Sequence, residues 1–249
     1  MIPALLLGRK GSVGFPGKNT RPVLGRPMAQ YPMMAAKESK YIDTVYLSTD
    51  DENLMELARV NRVEIIKRPA FLCTKEALGH DAFIHGYQEI KKRNPEETIE
   101  MICLLFCNAP TLLSSHIDKG IEALRKDPDL DSAITVSQYN WYSPIRARKI
   151  SPNGLVHPFI PFECYDKYVK AINCDRDAQG DCYFADNCVS VVRPHCLENR
   201  DYGMLPQQWM GQKIFSIKNW GGLDVDKEFQ LGQVDFWLRA HGFTEKCSR

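Results

Sequence analysis

The sequence predicts an α/β fold with a mostly parallel sheet and helices on both faces. Short apolar runs alternate along the chain with stretches of amphipathic, helix-like spacing. The runs are continuously apolar, as in strands covered on both faces, instead of alternating between apolar and polar residues. The length of 249 residues suits one sizeable domain of this type. We therefore predict a Rossmann-like architecture within a single domain, 1–249.

Seven apolar runs of strand length are bounded by polar or turn-forming residues and recur at the spacing expected for strand–helix units. The predicted strands are Ile2–Leu7, Thr44–Ser48, Val63–Ile66, Ile99–Phe106, Ser132–Ser137, Val189–Val192 and Lys213–Ile217.

Five stretches place apolar residues three and four positions apart, which predicts helices with one buried side. One of them begins at Asp51, and an acidic start suits the positive end of a helix dipole. The predicted helices are Tyr31–Ser39, Asp51–Arg62, His80–Lys92, Ser115–Lys126 and Glu228–His241.

The segment 138–186 interrupts this alternation of predicted strands and helices. It is rich in proline and aromatic residues and offers only two short strand-like pieces, Ala147–Ile150 and Gly154–His157. We interpret it as an inserted subdomain or dimerisation flap within the single domain, because it lacks the apolar runs of a second core.

The amino-acid composition limits the binding partners and the cellular compartment that we expect for this protein. Lysine and arginine total 32 against 31 acidic residues, so the net charge of +1 gives no reason to expect a nucleic-acid or membrane partner. The nine cysteines are odd in number and form no C-x-x-C pair, which favours reduced thiols in a cytoplasmic protein. The first apolar run is too short for a signal peptide, and no run approaches the roughly 20 residues of a membrane span.

The most informative segment is Gly8–Asn19, which directly follows the first predicted strand. Its four glycines permit tight turns and expose backbone N–H groups, while Arg9, Lys10 and Lys18 add positive charge. Ligands of parallel α/β sheets bind beyond the carboxyl ends of the strands, where this loop lies. The segment therefore predicts a polyphosphate site, with an ordinary glycine-rich surface loop as the alternative.

The loop differs from both common phosphate fingerprints. In a P-loop, Gly17-Lys18 would be followed by Ser or Thr, but Asn19 stands there, and Ser12 occupies the place of the first glycine. The dinucleotide pattern opens directly into a helix, and Pro16 interrupts that continuation.

Three further motifs follow in order: Ser48-Thr49-Asp50-Asp51 at the end of a strand, Arg68-Pro69-Ala70, and Asp224-Val225-Asp226 before the last helix. With the Gly8–Asn19 loop, this ordered set resembles the CMP-sialic acid synthetases and their CMP-Kdo synthetase relatives. The resemblance covers most of the chain and implies the nucleotide-diphospho-sugar transferase type of α/β fold.

The resemblance implies a CTP-dependent cytidylyltransferase whose acceptor attacks the α-phosphorus of CTP. Asp224 and Asp226 would bind Mg²⁺, because alternate residues of an extended segment point the same way, although capping of the following helix is the alternative. Arg9 and Lys18 would act with these two aspartates as the catalytic residues. The residues implied for CTP binding are Gly8, Arg9, Lys10, Gly11, Ser12, Lys18, Asn19 and Arg68.

The chain departs from the family pattern mainly on the acceptor side. Val13 stands where the family has a lysine, for which Lys10 is a candidate replacement, and Phe106–Leu112 lacks the family's glutamine and arginine. Cations in or near the inserted segment suit an anionic acceptor. The residues predicted to bind it are Arg148, Arg176 and Tyr183.

The acceptor class stays open at this stage. Family frequency favours an acid sugar of the sialic acid type, and a phosphonate or phosphate is the alternative. A catalytically inactive nucleotide-binding relative is a further alternative, since Val13 and the altered Phe106–Leu112 segment are departures at the predicted site. The resemblance also implies a homodimer in which the inserted segment contacts the partner.

Overall fold

The computed structural model describes residues 1–11, 14–165, 172–175 and 177–245. Its strands are β1 (Pro3–Leu7), β2 (Pro22–Val23), β3 (Arg26–Pro27), β4 (Thr44–Thr49), β5 (Glu64–Lys67), β6 (Ile102–Phe106), β7 (Ser132–Gln138), β8 (Arg148–Ile150), β9 (Val156–Pro158), β10 (Tyr183–Val192) and β11 (Ile214–Lys218). Its α-helices are α1 (Gln30–Glu38), α2 (Glu52–Val60), α3 (Gly79–Arg93), α4 (Ser114–Lys126), α5 (His195–Glu198) and α6 (Leu231–Ala240).

Seven of the strands form one central sheet in the order β11-β7-β10-β6-β1-β4-β5. Strand β1 pairs in parallel with β4 and β6, so that Leu5 lies opposite Tyr46 on one side and Leu104 on the other. Only β10 runs antiparallel to its neighbours, β6 and β7. The prediction of a mostly parallel sheet is confirmed, and the carboxyl ends of six strands meet at one edge.

Helices cover both faces of this sheet, as predicted. Ala4 and Leu6 of β1 contribute to a core with residues of α1, α2 and α4, whereas Leu5 and Leu7 contribute to a second core with residues of α3 and α5. A third apolar cluster joins α6 to the chain around Phe15 and Tyr31. The alternation along β1 explains why its sequence is continuously apolar.

The predicted strands and helices agree with the structure to within a few residues, except at the start of β10. Strand β10 begins at Tyr183, well before the predicted Val189, because Tyr183–Ala185 also pair with β7. An irregularity follows Ala185, and Asn187 adopts a positive φ of 59° there. The first half of the strand was not predicted, because the polar residues of this irregularity interrupt the apolar pattern.

The last helix is also shorter than predicted. Residues Glu228–Gln230 form a 3₁₀ turn, and α6 begins only at Leu231. The Gln230 side chain caps this 3₁₀ turn, because its Oε1 accepts hydrogen bonds from the backbone N–H groups of Asp226 at 2.7 Å and Lys227 at 2.8 Å.

Within 138–186, the described residues form short 3₁₀ turns, the two-stranded β8–β9 hairpin and the start of β10. Its interpretation as an inserted subdomain or dimerisation flap stays a prediction. Across the described ranges, no helix combines the length and apolar character needed to cross a membrane. The eight described cysteines are free thiols, and four of them, Cys103, Cys107, Cys188 and Cys196, are buried.

Candidate active site

A cavity of about 530 Å³ opens at the carboxyl edge of the sheet, where the last residues of β1 and β6, Leu7 and Phe106, contribute to its wall. Its apolar lining residues include Leu72, Leu78, Ala82 and Phe106. Its charged lining residues are Arg9, Lys18, Arg68, Asp224, Asp226 and Lys227.

Gly8 marks the point where β1 turns into the glycine-rich loop. Its N–H donates to Ser48 O of the neighbouring strand at 3.2 Å, which keeps the chain in sheet register for one residue beyond β1. A Cβ on this residue would lie 2.5 Å from Leu54 Cδ1 and 2.8 Å from Cys107 Sγ. Glycine is therefore required here by close packing.

Arg9 lines the cavity, and its guanidinium is held by the segment after Arg68. The NH1 group donates to Cys73 O at 3.3 Å and also to Thr74 O. Asn19 is buried beside it, with Nδ2 3.5 Å from Arg9 O. The Arg9 contacts connect the loop to Cys73 and Thr74.

Lys18 connects the loop to the segment that precedes α6. Its Nζ donates to Val225 O at 2.8 Å and forms an ion pair with Asp226 Oδ1 at 2.5 Å. The Lys18 side chain is only 12% exposed, whereas that of Asp226 is 65% exposed. The contact therefore places a carboxylate, accessible to solvent, at the mouth of the cavity.

Asp224 and Asp226 both line the cavity, while Val225 between them is fully buried. This is the alternation expected of an extended segment. Burial and then the negative charge of Asp226 raise the pKa of Asp224 above its ordinary value. Two carboxylates with their oxygens on one cavity match the donor set of a hard divalent cation, which would relieve their repulsion.

Two residues after β6 hold this segment in place. Val225 N donates to Asn108 O at 2.7 Å, and Asn108 Nδ2 donates back to Val225 O at 3.0 Å. Thr111 Oγ1 accepts from Leu223 N at 2.8 Å and donates to Leu223 O at 3.1 Å. Four hydrogen bonds thus fix the backbone that carries the two aspartates.

Arg68 is buried at the boundary between this cavity and a shallower one beside Asp50 and Cys73. Its Nε donates to Ser48 Oγ at 3.2 Å and its NH2 to Ser48 O at 2.7 Å. Burial lowers the pKa of the guanidinium from its ordinary value. Within the described part of the chain, its NH1 group has no hydrogen-bond partner and remains available to a ligand.

The structure therefore brings seven of the predicted site residues to one cavity: Gly8, Arg9, Lys18, Asn19, Arg68, Asp224 and Asp226. Ser12 and Arg176, also predicted site residues, and Val13 lie outside the described residues.

Four predicted residues are not among the described residues that line the cavity: Lys10, Gly11, Arg148 and Tyr183. Lys10 is exposed and contacts Asp50 through its backbone N–H at 2.8 Å. Arg148 donates to Ile145 O at 2.7 Å, and Tyr183 packs under Lys218, whose Nζ lies 5.5 Å from the ring centroid. Their predicted roles stay predictions.

Three residues at the site were missed by sequence reasoning: Asn108, Thr111 and Lys227. Asn108 and Thr111 belong to the Phe106–Leu112 segment, whose departure from the family pattern had pointed to the acceptor side. Lys227 directly follows the Asp224-Val225-Asp226 motif, and that adjacency was the available signal.

A second cavity of about 680 Å³ is adjacent to the first, and Asp224 contributes to both linings. Its wall is largely aromatic, with Asp186 as a further carboxylate. The aromatic residues are Tyr139, Tyr142, Phe184, Trp220, Phe229, Phe236 and Trp237. Asp186 is buried and accepts hydrogen bonds from Thr135 Oγ1 at 2.5 Å and Ser137 Oγ at 2.8 Å.

Comparison with known proteins identifies the family. The cytidylyltransferase family profile matches residues 3–149. An N-acylneuraminate cytidylyltransferase of Oncorhynchus mykiss is 30% identical over 125 residues, which is 50% of this chain and 28% of that protein. A 3-deoxy-manno-octulosonate cytidylyltransferase of Bdellovibrio bacteriovorus is 25% identical over 132 residues, 53% of this chain and 49% of that protein.

A bifunctional protein of Helicobacter pylori, a pseudaminic acid cytidylyltransferase and UDP-2,4-diacetamido-2,4,6-trideoxy-beta-L-altropyranose hydrolase, is 25% identical over 157 residues. That match covers 63% of this chain and 29% of the H. pylori protein. The chain thus spans less than a third of the length of the first curated relatives it matches.

Solved structures show the same fold at low sequence identity. A CMP:2-keto-3-deoxy-manno-octonic acid synthetase complexed with CTP superposes with a TM-score of 0.65 at 15% identity, over 96% of this chain and 99% of that one. A 4-diphosphocytidyl-2C-methyl-D-erythritol synthase of Anaerococcus prevotii gives a TM-score of 0.60 at 13% identity, over 96% of each chain. The fold and the profile match, which covers more than half of the sequence, agree: this chain belongs to the cytidylyltransferase family.

Proposed function

We propose that the chain is a CTP-dependent cytidylyltransferase that joins CMP to an anionic acceptor and releases pyrophosphate. The observation that carries this proposal is the convergence of Arg9 and Lys18 with Asp224 and Asp226 in one cavity at the carboxyl edge of the sheet. The family profile ends at residue 149, so it does not include the two aspartates. Their position therefore supports the proposal independently of the profile.

In the proposed reaction, an oxygen of the acceptor forms a bond to the α-phosphorus of CTP, and a hydroxyl acceptor releases its proton to solvent. The bond from that phosphorus to the oxygen bridging the α- and β-phosphates breaks, and pyrophosphate departs with the electron pair. Catalysis of this kind depends on positioning and on stabilising the charge that develops on the leaving group. Arg9 and Lys18 are the residues to which we assign the positioning of CTP and the stabilisation of this charge.

Asp224 and Asp226 fit a bound Mg²⁺, because both offer carboxylate oxygens to the same cavity. A magnesium ion held there would neutralise phosphate charge during the reaction. The chain's own contribution is to hold the two carboxylates in place, through Asn108 and Thr111, with Lys18 beside Asp226.

We further propose an acid sugar as the acceptor. The names of the relatives refer to N-acylneuraminate, pseudaminic acid and 3-deoxy-manno-octulosonate, all of which are sugar acids. In the lining described, four cationic side chains, Arg9, Lys18, Arg68 and Lys227, outnumber the two carboxylates, so the cavity suits anionic ligands.

The test is to incubate the protein with CTP, Mg²⁺ and a panel of acid sugars, phosphonates and phosphates, and to measure pyrophosphate release. We expect release with at least one acid sugar. Release with phosphonates alone would contradict the proposed acid-sugar acceptor but would support the proposed cytidylyltransferase activity. CTP binding by calorimetry without turnover on any acceptor would favour a non-catalytic relative, and the absence of CTP binding would refute the nucleotide site.

An Asp226→Asn variant separates catalysis from binding. It keeps the size of the side chain and the Lys18 neighbour but removes the charge that would hold the metal. We expect pyrophosphate release to be lost while most of the CTP affinity remains. Unchanged turnover would contradict the assignment of Asp226 to the metal.

A homodimer through the inserted segment is part of the proposal. The β8–β9 hairpin exposes apolar side chains, with Ile150 75% and Val156 64% exposed. Light scattering should give a dimer for the wild-type chain, and an Ile150→Asp, Val156→Asp double variant should shift it towards monomer. A monomeric wild-type chain would overturn this part of the proposal.

A further inference from the structure

Lys227 lies at the cavity on the same side as the glycine-rich loop. Its side chain contributes to the cavity lining together with Gly14, Lys18 and Asp226. A Cβ added to Gly14 would be 3.7 Å from Lys227 Nζ and 3.0 Å from Asp226 O. The ammonium group is therefore adjacent to the backbone of the loop predicted to bind phosphate.

The other three cationic side chains of the cavity each make at least one polar contact with the protein. Lys18 Nζ pairs with Asp226, and Arg9 and Arg68 donate to backbone or side-chain oxygens of the cavity wall. Lys227 Nζ has no ion pair and no hydrogen bond to any other residue in the described ranges. Its full charge is thus available to a ligand.

The surrounding structure keeps Lys227 in this position. Its backbone N–H is held by Gln230 Oε1 at 2.8 Å, which fixes the start of the turn before α6. The neighbouring acidic residue, Glu228, is engaged on the outside by Arg21, whose NH2 lies 3.3 Å from Glu228 Oε1. Glu228 is therefore occupied elsewhere, and Lys227 keeps its charge for the cavity.

We propose that Lys227 binds the part of the CTP triphosphate that leaves as pyrophosphate, an inference that rests on the proposed function. A lysine is a compact, mobile cation with three N–H donors and binds phosphate oxygens as a point charge. Lys227 Nζ lies close to the position that a Cβ of Gly14 would take, at 3.7 Å. In this proposal Lys227 supplies a positive charge near the loop in which Val13 replaces the family's lysine.

The test compares nucleotides that do and do not carry the terminal phosphates. Calorimetry with CTP and with CMP is carried out on the wild-type chain, on Lys227→Met, and on Lys227→Arg, which keeps the charge. For Lys227→Met we expect CTP to bind about tenfold more weakly, as for the loss of one charge-assisted contact, while CMP affinity is unchanged. Lys227→Arg should retain most of the CTP affinity.

Lys92→Met is the matched control, because Lys92 is an exposed lysine at the far end of α3 from the cavity. It should leave both affinities unchanged. Equal weakening of CTP and CMP by Lys227→Met would indicate a structural role and overturn the inference. So would unchanged CTP binding in that variant when the wild-type chain binds CTP, and in that case the proposed function would stand. Failure of the wild-type chain to bind CTP would instead refute the proposed function.

Discussion

Lys18 Nζ lies 2.5 Å from Asp226 Oδ1, so a contact spanning 208 residues of sequence joins the first loop to the segment before the last helix. Lys18→Met should lower the rate of pyrophosphate release by roughly 100-fold, because it removes a cation from the reacting phosphates. Since Asp226 is largely exposed, we expect the free energy of unfolding to change by less than about 1 kcal/mol.

The Lys18 prediction requires two measurements, pyrophosphate release and urea denaturation. A variant that loses activity together with several kcal/mol of stability would show that the ion pair is mainly structural. Arg59→Met, which removes an exposed pair with Glu56 on α2, is the control and should affect neither quantity appreciably.

Asn108→Ala should loosen the backbone that carries Asp224 and Asp226. The variant removes the hydrogen bond from Nδ2 to Val225 O in a buried position, and we expect the free energy of unfolding to fall by about 1 to 2 kcal/mol. Turnover should fall more than CTP affinity, because the aspartates would be displaced. Asn53→Ala, at an exposed position of α2, should change stability by less than about 0.5 kcal/mol. Full activity of the Asn108 variant would contradict its positioning role.

His116 should make the protein less stable in mild acid. Burial, followed by the charge of Lys119, lowers the pKa of His116 from 6.5 to about 4. Because the unfolded chain binds this proton more readily than the folded chain, the free energy of unfolding should fall as pH decreases from about 6.5 to about 4. The full shift in the pKa of His116 corresponds to a decrease of roughly 3 kcal/mol in the free energy of unfolding.

A His116→Gln variant provides the comparison, because glutamine does not titrate. Urea denaturation at several values between about pH 7 and about pH 4.5 should show a smaller decrease in stability for the variant than for the wild-type chain. Parallel pH profiles would mean that His116 is not the residue responsible.

Gly8→Ala should destabilise the fold, because its Cβ would collide with Leu54 and Cys107 in a packed region. We expect a loss of about 2 kcal/mol, typical of inserting a methyl group into a filled core. Gly232→Ala is the matched substitution in open space within α6, and helix propensity predicts a gain of up to about 1 kcal/mol. Thermal or urea unfolding of the two variants decides the question, and equal effects would contradict the packing argument.

Much of the fold could be predicted from the sequence because its signals are local. Continuous apolar runs indicated the strands, and helical spacing indicated the five longer helices. The first half of β10 was missed because Asp186 and Asn187 interrupt the apolar pattern, although Asp186 is buried and hydrogen-bonded to Thr135 and Ser137. A polar residue in a strand is easily predicted to be in a loop when its hydrogen-bond partners lie far away along the chain.

For the candidate site too, local sequence patterns could be predicted and contacts between distant residues could not. The glycine-rich loop, its cations and the Asp224-Val225-Asp226 motif could be recognised from the sequence, because each is a pattern of neighbouring residues. Three relations became visible only in the folded chain: Lys18 contacts Asp226, Asn108 and Thr111 hold the aspartate segment, and Lys227 lines the cavity while Lys10 does not. These relations depend on the parallel sheet, which brings strand ends that are distant in sequence to one edge, and distance along the chain gives no measure of that proximity.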